Sequence, residues 1–236
     1  MQFGLLVDSP RAALEECDFA RACSSQLRSL SSPTELSMAR YLGPKVKLSR
    51  KVGVPIADVP KHTSKRALTP PGQHGFRGRR RKDYGIRKDE KQKVRYHYNV
   101  LEKQFRRYLA EGARRPGNTG ENLLQLLEQR LDNVLRRAGF ARTIWAARQM
   151  VVHGHFKVNG QKVDRPSFQV SVGDSITAKD SIIKVCREHM ESLGGHQTPG
   201  WIGVVPADMI IKITAKPTSD QIPFDVNTNL IVEFYR

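Results

Sequence analysis

The side chains best suited to covalent or metal chemistry are few here: three Cys and seven His in 236 residues. Cys17, Cys23 and Cys186 form no Cys-x2-Cys pair and no disulfide framework, so they read as free thiols of a reducing compartment. His153 and His155 lie two residues apart, but the sequence offers no further ligands to complete a metal site, and capping or solvent roles account for them. No Ser/His/Asp cluster and no nucleotide-binding loop appears. What remains is electrostatic chemistry. The 40 Lys+Arg against 23 Asp+Glu give a net charge of +17, an excess that calls for a polyanionic partner, most commonly nucleic acid.

That charge is concentrated. Residues 1–37 carry three basic and five acidic side chains, residues 38–116 carry 23 and 6, and residues 117–236 carry 14 and 12. Lysines placed for solubility alone would be spread over every surface, whereas neutralising phosphates over a defined footprint needs them together. Arg40, Lys45, Lys47 and Arg50 open this basic third. Arg77, Arg79 and Arg80 follow in a Pro/Gly-rich stretch from 60 to 87, where turn chemistry rules out a long helix. Such a stretch is either a solvated linker or a segment ordered by RNA, and Phe76 among the arginines favours the second because an aromatic ring can stack on a base.

The elements that must position these groups follow from periodicity. A helix is predicted from about 90 to 111, opened by the capping-box form of Asp89-Glu90-Lys91-Gln92 and closed by Gly112. Its apolar face is Val94, Tyr98, Leu101, Phe105 and Tyr108. Lys93, Arg95, Lys103, Arg106 and Arg107 fall opposite, either as an ordinary solvated face or as an RNA contact. Ordinary faces alternate their signs, and Glu102 is nearly alone among bases, which favours RNA. A cap at Gly117-Asn118-Thr119-Gly120-Glu121 starts a core helix predicted to run to Gly139, and a shorter helix spans Thr143 to about Val152. Phe156 and Val158 alternate up to Asn159-Gly160, a strong hairpin signal, with Val163 resuming beyond it. Phe168, Val170 and Val172 alternate next, and a further strand is predicted within Ile176 to Val185. Leu, Ile, Val and Phe supply 25% of the chain, enough to fold. No apolar run approaches the ~18 residues that a membrane-spanning helix needs. Without periodicity, residues 1–37 read as a disordered extension, or as sequence upstream of a true start at Met38.

Several of these motifs together resemble a known family. Arg130-Leu131-Asp132-Asn133-Val134-Leu135, Gly139-Phe140, Ala147-Arg148-Gln149-Met150-Val151, His153-Gly154-His155 and Val158-Asn159-Gly160 resemble the small RNA-binding module of ribosomal protein S-four. Ala39-Arg40-Tyr41-Leu42-Gly43-Pro44, Pro71-Gly72-Gln73-His74-Gly75, Gly117-Asn118-Thr119-Gly120-Glu121-Asn122-Leu123-Leu124 and Asn229-Leu230-Ile231-Val232-Glu233-Phe234-Tyr235 extend the resemblance to that ribosomal family as a whole, bacterial or organellar in type, over 38–236. The resemblance implies an α+β fold: a mainly helical basic domain (38–127), an inserted RNA-binding module (128–194) of two helices on short antiparallel strands, and a C-terminal segment (195–236) packing back. It implies a cytoplasmic structural constituent of the small ribosomal subunit that binds 16S rRNA early and nucleates 30S assembly. In the module, the rRNA-facing residues it implies are Arg130, Arg148, Gln149, His153, Lys157 and Lys162. Arg77, Arg79 and Arg80 correspond to residues that grip messenger RNA at the entry channel, with consequences for translational accuracy, and the C-terminal segment to a boundary with ribosomal protein S-five.

There are departures from the family pattern. Residues 39–75 hold no Cys, so the zinc site of many relatives is not expected. Ile144-Trp145 stands where an Arg is usual, with Arg142 a possible substitute; Ser219 replaces an Arg and Thr228 an acid. The same module also anchors RNA-modifying enzymes and a ribosome-rescue factor. Against an enzyme, Arg130-Leu131-Asp132 is not followed by the Thr-Ser-Gly context of pseudouridine synthases, which leaves Asp132 as a capping or salt-bridge residue, and the chain beyond Gly195 is too short for a catalytic domain. The rescue factor lacks the helical domain.

Overall fold

In the computed structural model the described residues are 41, 43–56, 69–77 and 82–236. Arg40, Arg79, Arg80, Cys17, Cys23 and the predicted 1–37 extension lie outside them.

Helix α1 (Lys45–Val52) buries Leu48 and Ser49, and Gly53 ends it in the left-handed region with φ 81. Arg50 ties α1 to the Pro/Gly stretch: its Nε donates to Thr69 O at 2.9 Å and an Nη to Pro70 O at 3.3 Å. A single 3-10 turn, Gly75–Arg77, follows.

Two helices, α2 (Asp83–His97) and α3 (Glu102–Arg114), stand where one was predicted over 90–111. The chain turns at Asn99, whose φ of 48 is a conformation that Asn tolerates better than most residues. Leu101, a member of the predicted apolar stripe, is 41% exposed as a result. The break lets the two halves pack on different partners, α2 on the C-terminal helix and α3 on the next helix in the chain.

That next helix, α4 (Thr119–Glu128), is capped by the Asn118 side chain, which accepts from Gly120 N. Asn122 donates from Nδ2 to Gly112 O, Arg115 O and Pro116 O, satisfying carbonyls that the end of α3 leaves unpaired. The predicted helix to Gly139 is also divided, into α4 and α5 (Leu131–Arg137). Arg130 leaves the helical path to form an antiparallel bridge with Gln169, and Leu131 N donates to Phe168 O at 2.9 Å. Helix α6 (Ile144–Val152) starts at Thr143, whose side chain accepts from Ala146 N.

Strands β1 (Phe156–Val158) and β2 (Gln161–Lys162) form the predicted hairpin. Asn159 and Gly160 both have positive φ, 49 and 82, as a two-residue type I′ turn requires. Strand β3 (Ser175–Ala178) is the strand expected within Ile176 to Val185, and α7 (Asp180–Ser192) occupies the rest of that range. The buried pair Ile182 and Cys186 lies four residues apart, a helical spacing inside an apolar run that fits period two as readily in the sequence. Strands β4 (Ile202–Val205) and β5 (Ile210–Ile213) complete an antiparallel sheet of order β2-β1-β3-β5-β4. Residues after 195 therefore divide: their strands extend the sheet, and α8 (Thr228–Tyr235) packs on α2 and α4.

Two apolar cores result. One joins α5, α6, α7 and the sheet through Leu135, Phe140, Val151, Phe156, Ile176, Trp201 and Ile211. The other joins α2, α3, α4 and α8 through Val94, Tyr98, Phe105, Leu123, Leu127 and Ile231. Gly120 makes the approach of α8 possible, since a Cβ there would collide with the Thr228 side chain. The fold is α+β: a mainly helical unit and a helix-on-sheet module.

Candidate RNA-binding surface

The two units are joined by buried polar contacts centred on Glu128. Glu128, at the end of α4, accepts from Tyr98 OH at 2.6 Å and Asn133 Nδ2 at 2.6 Å, and pairs with Arg137 at 3.3 Å. Burial and the Glu128 charge push the Tyr98 hydroxyl pKa well above its ordinary value, so Tyr98 remains a donor. Arg137 also donates to Gln221 O, and Arg136 donates to His97 Nε2 at 2.8 Å. Burial first, then the charges of Arg136 and Arg137, hold His97 neutral with its pKa well below the usual value.

Arg130 was expected to face RNA. The structure corrects this: it is wholly buried, its Nε and Nη reaching Asp132 at 3.0 and 2.7 Å and Tyr108 OH at 2.8 Å. Burial disfavours its charge, but the Asp132 carboxylate and the Tyr108 hydroxyl outweigh that and raise its pKa above the ordinary arginine value. A guanidinium so enclosed cannot reach a phosphate. Asp132 is likewise fully buried, held by Arg130 and accepting from Asn133 N at 2.9 Å, a salt-bridge residue as the sequence implied. It has no face open to a substrate.

On the helical unit, Glu102 sorts the predicted cations. Lys91 and Arg95 reach it at 2.9 and 3.0 Å, Arg106 lies 3.9 Å away, and Tyr235 OH donates to it at 2.6 Å. Its partial burial would raise its pKa, but these hydrogen bonds bring it down to about 2. Lys93 pairs with Glu90 at 3.3 Å. Lys103, Arg107 and Arg114 are exposed on one face of α3 at spacings of four and seven, and among the described residues none of the three is in an ion pair. Arg114 was missed by the sequence reading, although its spacing from Lys103 and Arg107 would have revealed it.

On the module, Gln149 and His153 are exposed toward the end of α6, and the His153 and His155 rings stack with centroids 6.0 Å apart. Lys157 and Lys162, both exposed, are direct partners across β1 and β2. The Lys162 side chain crosses Gly154, which brings it beside the two histidines. Like charges facing each other across a strand pair are destabilising unless an anion lies between or above them. Arg142 and Arg165 are also exposed here, and Arg148 donates to Asn99 O at 3.1 Å.

Lys47 is exposed on α1, and Lys45 lies over the Trp145 ring at 4.4 Å from its centroid. Ile144, the other departure at this point, is buried. Arg77 is exposed at the 3-10 turn. Among the described residues no group of three or more His, Cys, Asp or Glu could hold a metal ion. Cys186 is a free, buried thiol, its pKa pushed up by burial to about 11. No described helix is long and apolar enough to cross a membrane.

A basic helical unit braced by internal carboxylates against an α/β module whose hairpin presents unopposed cations is the architecture of a protein that grips structured RNA. Residues 40–128 match the family model described as the ribosomal protein S4/S9 N-terminal domain, and residues 129–176 match that of the S4 domain. Among curated relatives, small ribosomal subunit protein uS4 of a Nocardioides species is 48% identical over 201 residues, covering 84% of this chain and 98% of that protein. The uS4 proteins of Persephonella marina, 48% identical over 204 residues, and Corynebacterium kroppenstedtii, 46% over 200, cover 84% of this chain and 99% of their own lengths. The chain belongs to the uS4 family of small ribosomal subunit proteins.

Proposed function

We propose that this chain is a structural constituent of the cytoplasmic small ribosomal subunit that binds 16S rRNA early and holds its 5′ domain for later proteins, without catalysing a reaction. The observation that carries the reading is the pair Lys157 and Lys162, two exposed lysines directly opposed on a hairpin. Their repulsion is relieved by phosphate. Lys103, Arg107 and Arg114 form the second phosphate-facing row, with Gln149, His153, Lys47 and the Arg40 segment extending the footprint. Phosphate contacts from a rigid scaffold suit recognition of RNA shape over base identity. Arg77, Arg79 and Arg80, in a Pro/Gly-rich stretch of the sequence, meet messenger RNA at the entry channel and so bear on accuracy, and the segment from Pro217 to Thr228 faces ribosomal protein S-five.

Equilibrium binding to the isolated 5′ domain of 16S rRNA tests this. Log affinity against log salt is steep, and Lys103, Arg107, Arg114→Ala flattens it by about 0.9 for each phosphate no longer neutralised. Lys93, Arg95→Ala leaves the slope nearly unchanged, because those cations are neutralised within the fold. A shallow wild-type slope, or co-sedimentation with free 50S rather than 30S particles, overturns the reading; the second outcome would favour a rescue factor.

A further inference from the structure

Aromatic side chains from α2 and α8 meet on the surface of the helical unit. Tyr84, 64% exposed in the first turn of α2, lies 5.5 Å from the Phe234 ring, and Phe234 meets Tyr235 edge-on at 5.2 Å. Beside them an open groove of about 600 Å³ is lined by Arg106, Leu109, Ala110, Ala113, Phe234 and Tyr235. The two alanines keep its α3 wall low, and the Arg106 guanidinium lies 5.8 Å from the Tyr235 centroid. Lys91 Nζ, nearly buried, lies 4.2 Å from the Phe234 centroid and is held there by Glu102, which fixes the rings from the fold side. Lys103, Arg107 and Arg114 border the same face of α3.

Flat apolar walls with a cationic border suit a base whose phosphate is held alongside. A basic ribosomal protein suits them less. The carboxylates near the groove are already occupied: Glu102 by its three cations and Tyr235, Glu111 by Arg115 at 2.7 Å and Glu233 by Arg87 at 2.9 Å. A cationic partner would meet mostly like charge. We propose that this groove takes one unpaired nucleobase of ribosomal RNA against its Phe234 and Tyr235 rings, with the exposed Tyr84, packed on Phe234, extending the aromatic surface and the phosphate lying on the α3 cations. The inference rests on the RNA-binding function proposed above and adds to it an interaction that is not electrostatic.

The distinction is measurable because stacking alters affinity without releasing counterions. The full chain is titrated with the 16S 5′ domain over a salt series as wild type, Tyr84→Ala, Tyr84→Phe and Arg107→Ala, and unpaired bases are probed chemically in each complex. Tyr84→Ala binds about five- to a hundred-fold more weakly at every salt concentration, the range expected for the loss of one stack. Its slope and melting temperature stay those of wild type, and one base protected in the wild-type complex becomes reactive. Tyr84→Phe binds as wild type, and Arg107→Ala changes the slope. If wild type binds with a steep slope and Tyr84→Ala binds equally well, the groove holds no base while the RNA-binding function stands. If Tyr84→Ala binds RNA normally but reconstituted 30S particles lose a neighbouring protein, the groove is a protein site and the proposal is overturned. If wild type itself binds weakly with a shallow slope, the underlying function fails first.

Discussion

Replacing Arg130 by Ala separates a structural from an RNA-binding role at one residue. The substitution removes the donors that hold both Asp132 oxygens and the Tyr108 hydroxyl, at 2.7 to 3.0 Å, in a site with no solvent exposure. Asp132 keeps only Asn133 N, and Tyr108 keeps Gln104 Nε2 at 3.2 Å. Stranding one member of a buried ion pair costs about 3–5 kcal/mol. For a domain of this size each kcal/mol lowers the melting temperature by about 2–4 °C, so a fall of roughly 6–20 °C is expected by circular dichroism. Arg130→Met with Asp132→Leu removes both charges and recovers most of that loss, since an apolar pair of similar volume is often neutral or stabilising. Affinity for the 16S 5′ domain, measured well below the transition, stays within a few-fold of wild type in both variants. An unchanged melting temperature together with a large affinity loss in Arg130→Ala would show that the guanidinium reaches RNA, and the burial argument would be wrong.

Because His97 is held neutral in the fold while the unfolded chain protonates it normally, stability is fully present above about pH 6.5 and declines as pH falls below it. His97→Gln keeps an acceptor for Arg136 and flattens the urea midpoint between pH 6.5 and 5; equal declines in both proteins would exclude His97 as the source. Arg77, Arg79, Arg80→Ala leaves incorporation into 30S particles nearly intact on gradients but slows elongation through a stem-loop message. Failure to assemble, with normal passage once assembled, would make these arginines an rRNA anchor. A chain beginning at Met38 binds the 5′ domain at least as tightly as the full one, and a large loss of affinity would give residues 1–37 a role.

The sequence made the locally encoded features readable. The Asn159-Gly160 turn, the Asn118 and Thr143 caps and the extent of α6 need only a few adjacent residues to specify them. The breaks at Asn99 and Arg130 were not readable, because each interrupts a good helical period for a tertiary reason. At Asn99 the two halves find different partners, and at Arg130 the chain pairs with Gln169, far along the sequence. Tertiary context overrides local propensity in this way when both halves gain burial. The strand expected within Ile176 to Val185 is there, but it ends at Ala178 and α7 takes the rest, because a short apolar run fits period two and period 3.6 equally well until length decides.

The candidate site was legible as a region and less so residue by residue, for an electrostatic reason. In a segment with 23 basic and 6 acidic side chains, each carboxylate decides which cations belong to the fold. Glu102 takes Lys91, Arg95 and Tyr235, Glu90 takes Lys93, and Glu111 takes Arg115. Lys91 and Arg95 lie eleven and seven residues from Glu102, on a different helix, so no helix-face pattern identifies them. Asp132 in the module and Glu128 at the end of α4 make the same choice, committing Arg130 and Arg137 to the interior. The cations left over, Lys103, Arg107, Arg114, Lys157 and Lys162, stand on elements whose mutual geometry the buried carboxylates help to fix. Because the Glu128 contacts link the end of α2, through Tyr98, to α4 and α5, the two cationic surfaces cannot move independently without stranding a buried charge. That rigidity suits the proposed recognition of a folded RNA by its shape, through the positions of its phosphates.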